Sequence, residues 1–440
     1  MGPTTRFTEP PLPPLPPGPA RRRVWVALSG GLDSSVLLQV LHRAGIPGLR
    51  AIHVHHGLQA AADDWARSVR RSCRRLAVPL TVRRVRVAAD DPAGPEAAAR
   101  SARYAVFTTL LRPGDLLVTA HHREDQAETV LLRALRGTGI AGLAAMSACS
   151  PLGRGQVWRP WLELPRARLL AWAGAQGIEG VDDPHNRDPR YARSWLRTAV
   201  WPALASHWPQ AADSLVRLAR HAADAEQLLT ELAREDLQRL AGPGGSLSVA
   251  ALLALSPARR RNVLRQAWRE RGWQAPAADL LDRLEREVLE AGADRQPCLH
   301  FAGGEARRYR DRLYLMAPLP PVPADWSASW VRGRQQALPA GGGRLRAATA
   351  PPARLDLRFA RGGERLRPAG SAHQRTLKQL AQEAGLPVWI RERMPLIYEG
   401  GVLRSVAGLW QDAAFAERGW QPRWECGLPG GPAPESRRPR

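Results

Sequence analysis

Val24 to Leu41, VWVALSGGLDSSVLLQVL, changes its hydrophobic period partway along. Val24, Val26 and Leu28, with Trp25 between them, predict a short buried strand, whereas Val36, Leu37, Val40 and Leu41 recur at helical spacing. Strand therefore gives way to helix across Ser29 to Ser34. Gly30 and Gly31 let the backbone turn sharply and approach a ligand closely. The new helix presents N–H groups without intrahelical partners, together with the positive end of its dipole. An oxyanion or a phosphate fits there.

The common phosphate loop, G-x-x-x-x-G-K followed by Ser or Thr, needs a lysine that reaches the outer phosphates. This chain has one lysine in all, Lys378, against 63 arginines. A Walker-type nucleotidase is thereby disfavoured, and backbone amides and serine hydroxyls must hold the phosphate. SGGLDS, which is Ser29, Gly30, Gly31, Leu32, Asp33 and Ser34, resembles the PP-loop of the ATP pyrophosphatases. The resemblance implies that this loop binds the pyrophosphate of ATP, that Asp33 holds Mg²⁺, and that the enzyme adenylates a carbonyl oxygen.

With 440 residues the chain is long enough for two or three domains. Its formal charge of +23 predicts a polyanionic partner. Nucleic acid fits better than a membrane, because no apolar run approaches the roughly 18 to 20 residues of a spanning helix. Biased codon usage would also favour arginine over lysine, so only the excess of charge counts as evidence. Cys73, Cys149, Cys298 and Cys426 form no C-x-x-C pair, and neither a disulfide framework nor a zinc or iron–sulfur site is indicated. Residues 1–20, with PPLPPLPPGPA among them, lack the apolar core of a signal peptide. They read as a disordered leader on a cytoplasmic protein.

LRAIHVHHGL from Leu49 predicts a second strand ending at His55, His56 and Gly57, followed by a helix through Trp65, Val69 and Leu76. Pro79 to Val87 alternates like a third strand, Glu96 to Leu111 is helical, and Leu116 to Ala120 makes a fourth strand that runs into HHREDQAETVLLRALRGTGIAGLAAM. Strands alternating with helices predict an α/β fold, a doubly wound parallel sheet. Ligands sit at the carboxyl ends of such strands, so Ser29, His55 and His121 should converge on one crevice. His122, Asp125 and Glu128 recur every three residues and could share a helix face there. A carboxylate at that place suits Mg²⁺ against ATP phosphates, and it equally suits the dipole of a helix's first turn. His53, His55 and His56 lack a metal-binding spacing and read as strand-end residues near the nucleotide. GTGIAG, Gly137 to Gly142, matches a dinucleotide fingerprint by letter, but it follows a helical stretch instead of a strand and reads as a flexible substrate loop.

AIHVHHGL, ARSARY, TAHHREDQAET, LRGTGIAGL, RPWLELPRARLLAWA and VDDPHNRDPRYARSWLRTAVWPAL resemble, in this order, the tRNA(Ile)-lysidine synthetase family, and the likeness extends from Val24 to Trp424. It implies a Rossmann-like PP-loop ATPase that uses ATP to activate C2 of the wobble cytidine in the CAU anticodon of tRNA(Ile). Free L-lysine then attacks through its side-chain amine, giving lysidine with loss of AMP. Codon reading thereby switches from AUG to AUA. Residue by residue, the resemblance puts Ser29, Gly30, Gly31, Leu32, Asp33 and Ser34 on ATP, with His55 beside the nucleotide. It makes Asp33, Arg103, Asp125 and Arg197 catalytic. A guanidinium stabilises charge developing on phosphorus, and a carboxylate orients an incoming ammonium. The chain departs from the family pattern at Glu124, His185 and Ser194, whose roles stay open. Rival readings are a PP-loop tRNA thiolase, which would need paired cysteines, and a non-enzymatic tRNA-binding protein, which has no need of ATP chemistry. A homodimer is an open option, and no membrane contact is expected.

Beyond Pro202 the pattern turns helical, and Ser256 with Pro257 predicts a cap and first residue. Arg259, Arg260, Arg261 and Arg265 are expected to form one basic helix face against tRNA phosphates. HQRTLKQLAQEAGLPVWIRERMPLIYEGG resembles the family's C-terminal tRNA-binding domain, and the lone Lys378 within it suits a place where a compact ammonium is needed; chance accounts for it equally. The expected organisation is a leader at 1–20, a catalytic domain at 21–207, a mainly helical tRNA-binding domain at 208–318, a linker at 319–353, a small α+β tRNA-binding domain at 354–426 and a flexible tail at 427–440.

Overall fold

The computed structural model describes residues 8–57, 62–87, 94–181, 188–292 and 295–432. The chain divides into two compact units, residues 1–228 and 229–440. In the first, β1 (Val24–Ala27), α1 (Leu32–Arg43), β2 (Leu49–His55), α2 (Ala62–Arg75), β3 (Leu80–Arg84), α3 (Pro95–Leu110), β4 (Leu116–Val118), α4 (Arg123–Leu135), α5 (Ile140–Leu143), β5 (Cys149–Leu152), β6 (Gly155–Trp158) and α6 (Arg166–Ala175) follow in order. The sheet runs β3-β2-β1-β4-β6-β5, parallel except for the β5–β6 hairpin. That hairpin was not foreseen: CSPL and GQVW are too short and too polar to announce themselves as strands.

Successive residues of β1 point to opposite faces, and each face has its own core. Val24 and Val26 pack with Val36, Leu37, Val40 and Leu41 of α1 and with Leu169 and Trp172 of α6. Trp25 packs on the other side with Ile52, Phe107, Leu111 and Leu117. The sheet is thus doubly wound, as expected. From β1 the chain proceeds outward to β2 and β3, then returns to β4 on the far side of β1. The carboxyl ends of β1 and β4 therefore flank a topological switch point, where a crevice opens.

Two expectations for this unit are corrected. Residues 8–20 carry no regular structure, yet Leu12 and Leu15 pack on the α1 core and Trp161 Nε1 donates to the Pro11 carbonyl at 3.0 Å. The described part of the leader belongs to the domain, because prolines that cannot extend a sheet still leave leucines free to be buried. GTGIAG is folded into the turn before α5 and α5 itself, with Arg133 Nη1 donating to the carbonyls of Gly142 and Ala145 at 3.0 and 2.8 Å. Next come α7 (Ala192–Trp195), a π-helical turn (Leu196–Val200), α8 (Trp201–His207) and α9 (Ala211–Leu240), whose sequence contains the boundary between the units.

The second unit opens with β7 (Leu247–Ser248), α10 (Val249–Ala254), α11 (Pro257–Glu270) and α12 (Ala278–Leu284). These precede β8 (Cys298–Phe301), β9 (Gly304–Tyr309) and β10 (Arg312–Met316), which complete a sheet of order β7-β10-β9-β8. The stretch 319–353, expected as a linker, instead holds β11 (Ser327–Trp330), β12 (Gln335–Ala337) and β13 (Arg344–Arg346). β11 pairs antiparallel with β14 (Leu355–Phe359), and β13 pairs with Arg423–Glu425. Trp330 and Leu345 are buried in the same core as Leu357 and Trp424. Proline and glycine mask strands this short, since each has room for only one or two inward residues.

Candidate active site

At the end of β1, α1 begins at Leu32 with Gly31 as its N-cap, so Asp33 and Ser34 lie in its first turn. The first helical bond runs from the Ser35 N–H to the Gly31 carbonyl at 3.1 Å, and the N–H groups of Leu32, Asp33 and Ser34 have no intrahelical partner. Ser34 Oγ donates to the Gly31 carbonyl at 2.9 Å and lies 3.1 Å from Ser29 Oγ, which accepts from the Gly31 N–H at 3.3 Å. Gly30 has φ +96°, a conformation that strains any residue with a Cβ, and its carbonyl accepts from the Val181 N–H at 2.9 Å. A Cβ on Gly180 would come within 2.3 Å of the Leu32 nitrogen. Only glycine lets that segment pass the loop, a constraint invisible without the third dimension.

At the end of β4, His122 caps α4. Its N–H donates to Asp125 Oδ2 at 3.1 Å, its Nδ1 lies 3.0 Å from Glu124 Oε2, and its Nε2 lies 3.3 Å from Asp125 and 4.0 Å from Asp33. The imidazole thus stands between the loop after β1 and the carboxylates of α4. Arg166 joins the same two elements, with Nε donating to Asp33 at 3.3 Å and its backbone N–H donating to Glu124 Oε2 at 3.0 Å. Glu124, which departs from the family pattern, thereby fixes His122 and satisfies an open N–H at the start of α6.

Glu128, only 3% exposed, does not face the crevice as a free metal ligand. Its two oxygens accept from Arg197 Nε and Nη2, both at 2.8 Å, and from Arg193 Nε at 3.1 Å. Arg197 Nη2 also donates to Asp125 Oδ1 at 3.1 Å, and Arg193 Nη2 to Thr129 Oγ1 at 2.9 Å. The two arginines are four residues apart and share one helix face. Pro202 explains the π-helical turn that carries Arg197: it has no N–H to give and its ring excludes a carbonyl one turn back, so the Trp201 N–H reaches to Leu196 instead.

Burial alone would push the His122 pKa down, but the Glu124 hydrogen bond and the charges of Asp125 and Asp33 more than offset it and raise it above the usual imidazole value. Burial likewise works against ionised Asp125, yet His122, His121, Arg193 and Arg197 hold its carboxyl below the ordinary range. Arg197, for all its burial, is held protonated by Glu128, Asp125 and Asp33. By contrast, burial together with nearby arginines pushes His121 down to about 4 in spite of Asp125. The two neighbouring imidazoles are thus shifted in opposite directions, His122 toward the charged form and His121 toward the neutral one.

The structure brings Asp33, Asp125 and Arg197 together. Arg103 stands at the end of β2, where its Nε donates to His56 Nε2 at 3.3 Å. Burial and the Arg103 charge lower the His56 pKa to about 4. His55 is buried and lies 3.2 Å from Asp63 of α2, which also pairs with Arg84 of β3. It therefore ties β2 to its neighbours. Arg166 and Arg193 were not foreseen as site residues, since nothing distinguishes one arginine among 63 by sequence. Ser194 is a buried residue of α7, and His185 lies outside the described residues.

The expected basic face of α11 is corrected. Arg259 makes a bidentate pair with Asp236 at 2.6 and 2.7 Å, and Arg260 is buried on Glu285 at 2.8 Å and on the carbonyls of Leu253 and Leu255. Consecutive helix residues diverge, so the run wraps the helix and does not form a single face. Arg261 and Arg265, one turn apart, are the two of the run that pair with no described carboxylate. Lys378 is exposed on the helix Leu377–Glu383, which Thr376 and Gln379 cap reciprocally.

Comparison with known proteins matches residues 6–204 to the PP-loop domain, 247–314 to the TilS substrate binding domain and 355–426 to the TilS substrate C-terminal domain. The tRNA(Ile)-lysidine synthase of Methylococcus capsulatus is 43% identical, covering 89% of this chain and 92% of that protein. The protein of the same name from Xanthomonas axonopodis pv. citri is 43% identical over 93% and 96%, and that of Pseudomonas aeruginosa 42% over 91% and 92%. Among solved structures, the U34-tRNA thiolase NcsA of Methanococcus maripaludis aligns with TM-score 0.38 and 18% identity over 46% of this chain and 72% of that one, a likeness too low to decide anything. The three domain matches, in order, and the identity sustained over nearly the whole length place the chain in the tRNA(Ile)-lysidine synthase family.

Proposed function

We propose that this protein joins free L-lysine to C2 of the wobble cytidine in the CAU anticodon of tRNA(Ile), at the expense of ATP. The observation that carries the reading is His122, 4.0 Å from Asp33 and 3.3 Å from Asp125, which links a phosphate-binding turn to a charged helix across one switch-point crevice. The cytidine O2 attacks the α-phosphorus of ATP, and the bond to the β-phosphate oxygen breaks with loss of pyrophosphate. The amides of Leu32, Asp33 and Ser34 and the hydroxyls of Ser29 and Ser34 hold the phosphates. The lysine side-chain amine then attacks C2, the C2–O bond breaks, and AMP leaves with that oxygen. Asp125, kept ionised, orients the amine, while Arg197 and Arg103 stabilise charge on the transferring phosphoryl group.

Mg²⁺ takes oxygen ligands, usually one or two carboxylates plus substrate phosphates. Asp33 fits that role, as a partly exposed carboxylate at the start of the phosphate-binding helix. The ion would neutralise phosphate charge. Among the described residues, the triad close enough to hold a metal without substrate is Cys298, His300 and Glu305, a softer donor set that belongs to the second unit. All four cysteines are unpaired, and burial pushes the Cys73 thiol up to about 11, which favours the ligase over a thiolase. Among the described residues no helix is long and apolar enough to cross a membrane, and a cytoplasmic place is in keeping with a tRNA substrate. Incubation with ATP, Mg²⁺, radiolabelled lysine and CAU tRNA(Ile) should label the tRNA. Bound but unlabelled tRNA would favour the non-enzymatic reading.

A further inference from the structure

Beside the crevice, an open groove of about 440 Å³ is lined by Arg100, Tyr104, Arg133, Ser147, Ser150 and Arg159. None of its three guanidiniums is paired with a described carboxylate. Arg133 donates to the Gly142 and Ala145 carbonyls, and Arg100 stacks over Tyr104 at 5.0 Å. Arg159 Nη1 donates to the Ser147 carbonyl at 2.8 Å and to Ser150 Oγ at 3.2 Å, while its Nε has no partner although the residue is only 7% exposed. Arginines elsewhere in the domain, such as Arg193 and Arg197, are neutralised by buried acids. These three repel one another. Burial, then the charges of Arg100 and Arg159, pushes the Arg133 pKa below its ordinary value. His121, next to the His122 that links the crevice, feels Arg159 and Arg100 as well as Asp125, so groove and crevice adjoin.

We infer that this groove seats successive backbone phosphates of the anticodon loop, with Arg100, Arg133 and Arg159 neutralising them and so presenting the wobble base to the crevice. The inference rests on the tRNA substrate proposed above. Charge matching selects RNA over the other anions at hand. A lysine zwitterion offers one carboxylate and brings its own ammonium toward three guanidiniums, whereas ATP phosphates already have the turn after β1. Two or three phosphodiesters in a row match the site and its open form.

Arg100→Gln tests it, because Arg100 is exposed and makes no hydrogen bond to a described residue. Binding of CAU tRNA(Ile) is measured without turnover between 50 and 200 mM salt for wild type, Arg100→Gln and Arg100→Lys. One lost phosphate contact lowers the log–log salt slope by about 0.7 to 0.9, so the variant's affinity should fall about threefold less than wild type over that range. At 50 mM it should bind several-fold more weakly than wild type. Arg100→Lys should restore the slope. An unchanged affinity and slope in Arg100→Gln would overturn the assignment, as would a raised KM for lysine with tRNA binding intact. Normal tRNA binding by a wild-type protein that makes no lysidine would refute the proposed function instead, and this readout would stand apart from it.

Discussion

Glu128 is the residue whose removal should do most to unmake the site. It is buried, and its carboxylate joins α4 to both Arg193 and Arg197 through three charge-assisted hydrogen bonds of 2.8 to 3.1 Å. Breaking a buried ion pair by deleting one partner costs roughly 3 to 5 kcal/mol. The arginine side chains are 26% and 36% exposed and regain some hydration, so a discounted cost of about 2 to 3 kcal/mol applies to Glu128→Ala. For a unit of this size, that lowers Tm by roughly 4 to 12 °C. Glu128→Gln preserves shape but sets an amide donor against a guanidinium donor, and about half that loss is expected. Freed from Glu128, Arg197 no longer holds Asp125 in place, and a displacement of about 1 Å at a reacting centre lowers turnover on the order of 10²-fold. The KM for ATP should be little affected, because the turn after β1 does not touch Glu128. Calorimetry and tRNA-dependent pyrophosphate release read the two effects separately. Wild-type Tm and turnover in Glu128→Gln would refute this account of how the arginines are organised.

Three further outcomes follow from the same contacts. Because the folded-state pKa of His122 is raised, its stabilising charge is fully present below the unfolded value near 6.5 and is lost as pH rises through the folded value. Tm of the wild type should therefore decline with rising pH in a component that His122→Asn lacks; parallel profiles would count against it. Trp330→Ala should cost about 3 to 5 kcal/mol and open the stretch 319–353 to protease, whereas a true linker would be cut equally well in the wild type. Arg260→Ala should lower Tm while leaving tRNA affinity per folded molecule intact, and Arg265→Ala should do the reverse. Equal effects on both readouts would contradict the division of roles on α11.

The strand-to-helix turn at Ser29 to Ser34 was legible because the hydrophobic period changes where the glycines and serines fall, and the α/β class followed from repeating that pattern. Ion-pair partners were not legible. In a chain with 63 arginines, Arg260 and Arg265 look alike until one is found on Glu285 and the other in solvent. Asp125 was identified, but for Glu128 a metal and the helix dipole stayed equal readings, because spacing reports which face a carboxylate shares and not what meets it there. Gly180 and Arg166 come from segments distant in sequence that only the fold brings onto the loop. The strands at 327–346 were hidden by their own brevity.

The most direct test of the central claim couples the two halves of the reaction. Wild-type protein should release pyrophosphate only when CAU tRNA(Ile) is present, with one pyrophosphate formed for each lysine incorporated. Asp33→Asn should lose both products and still bind the tRNA. Pyrophosphate release at the wild-type rate by Asp33→Asn, or release that does not depend on the tRNA, would contradict the assignment of the crevice as the site where ATP activates the RNA.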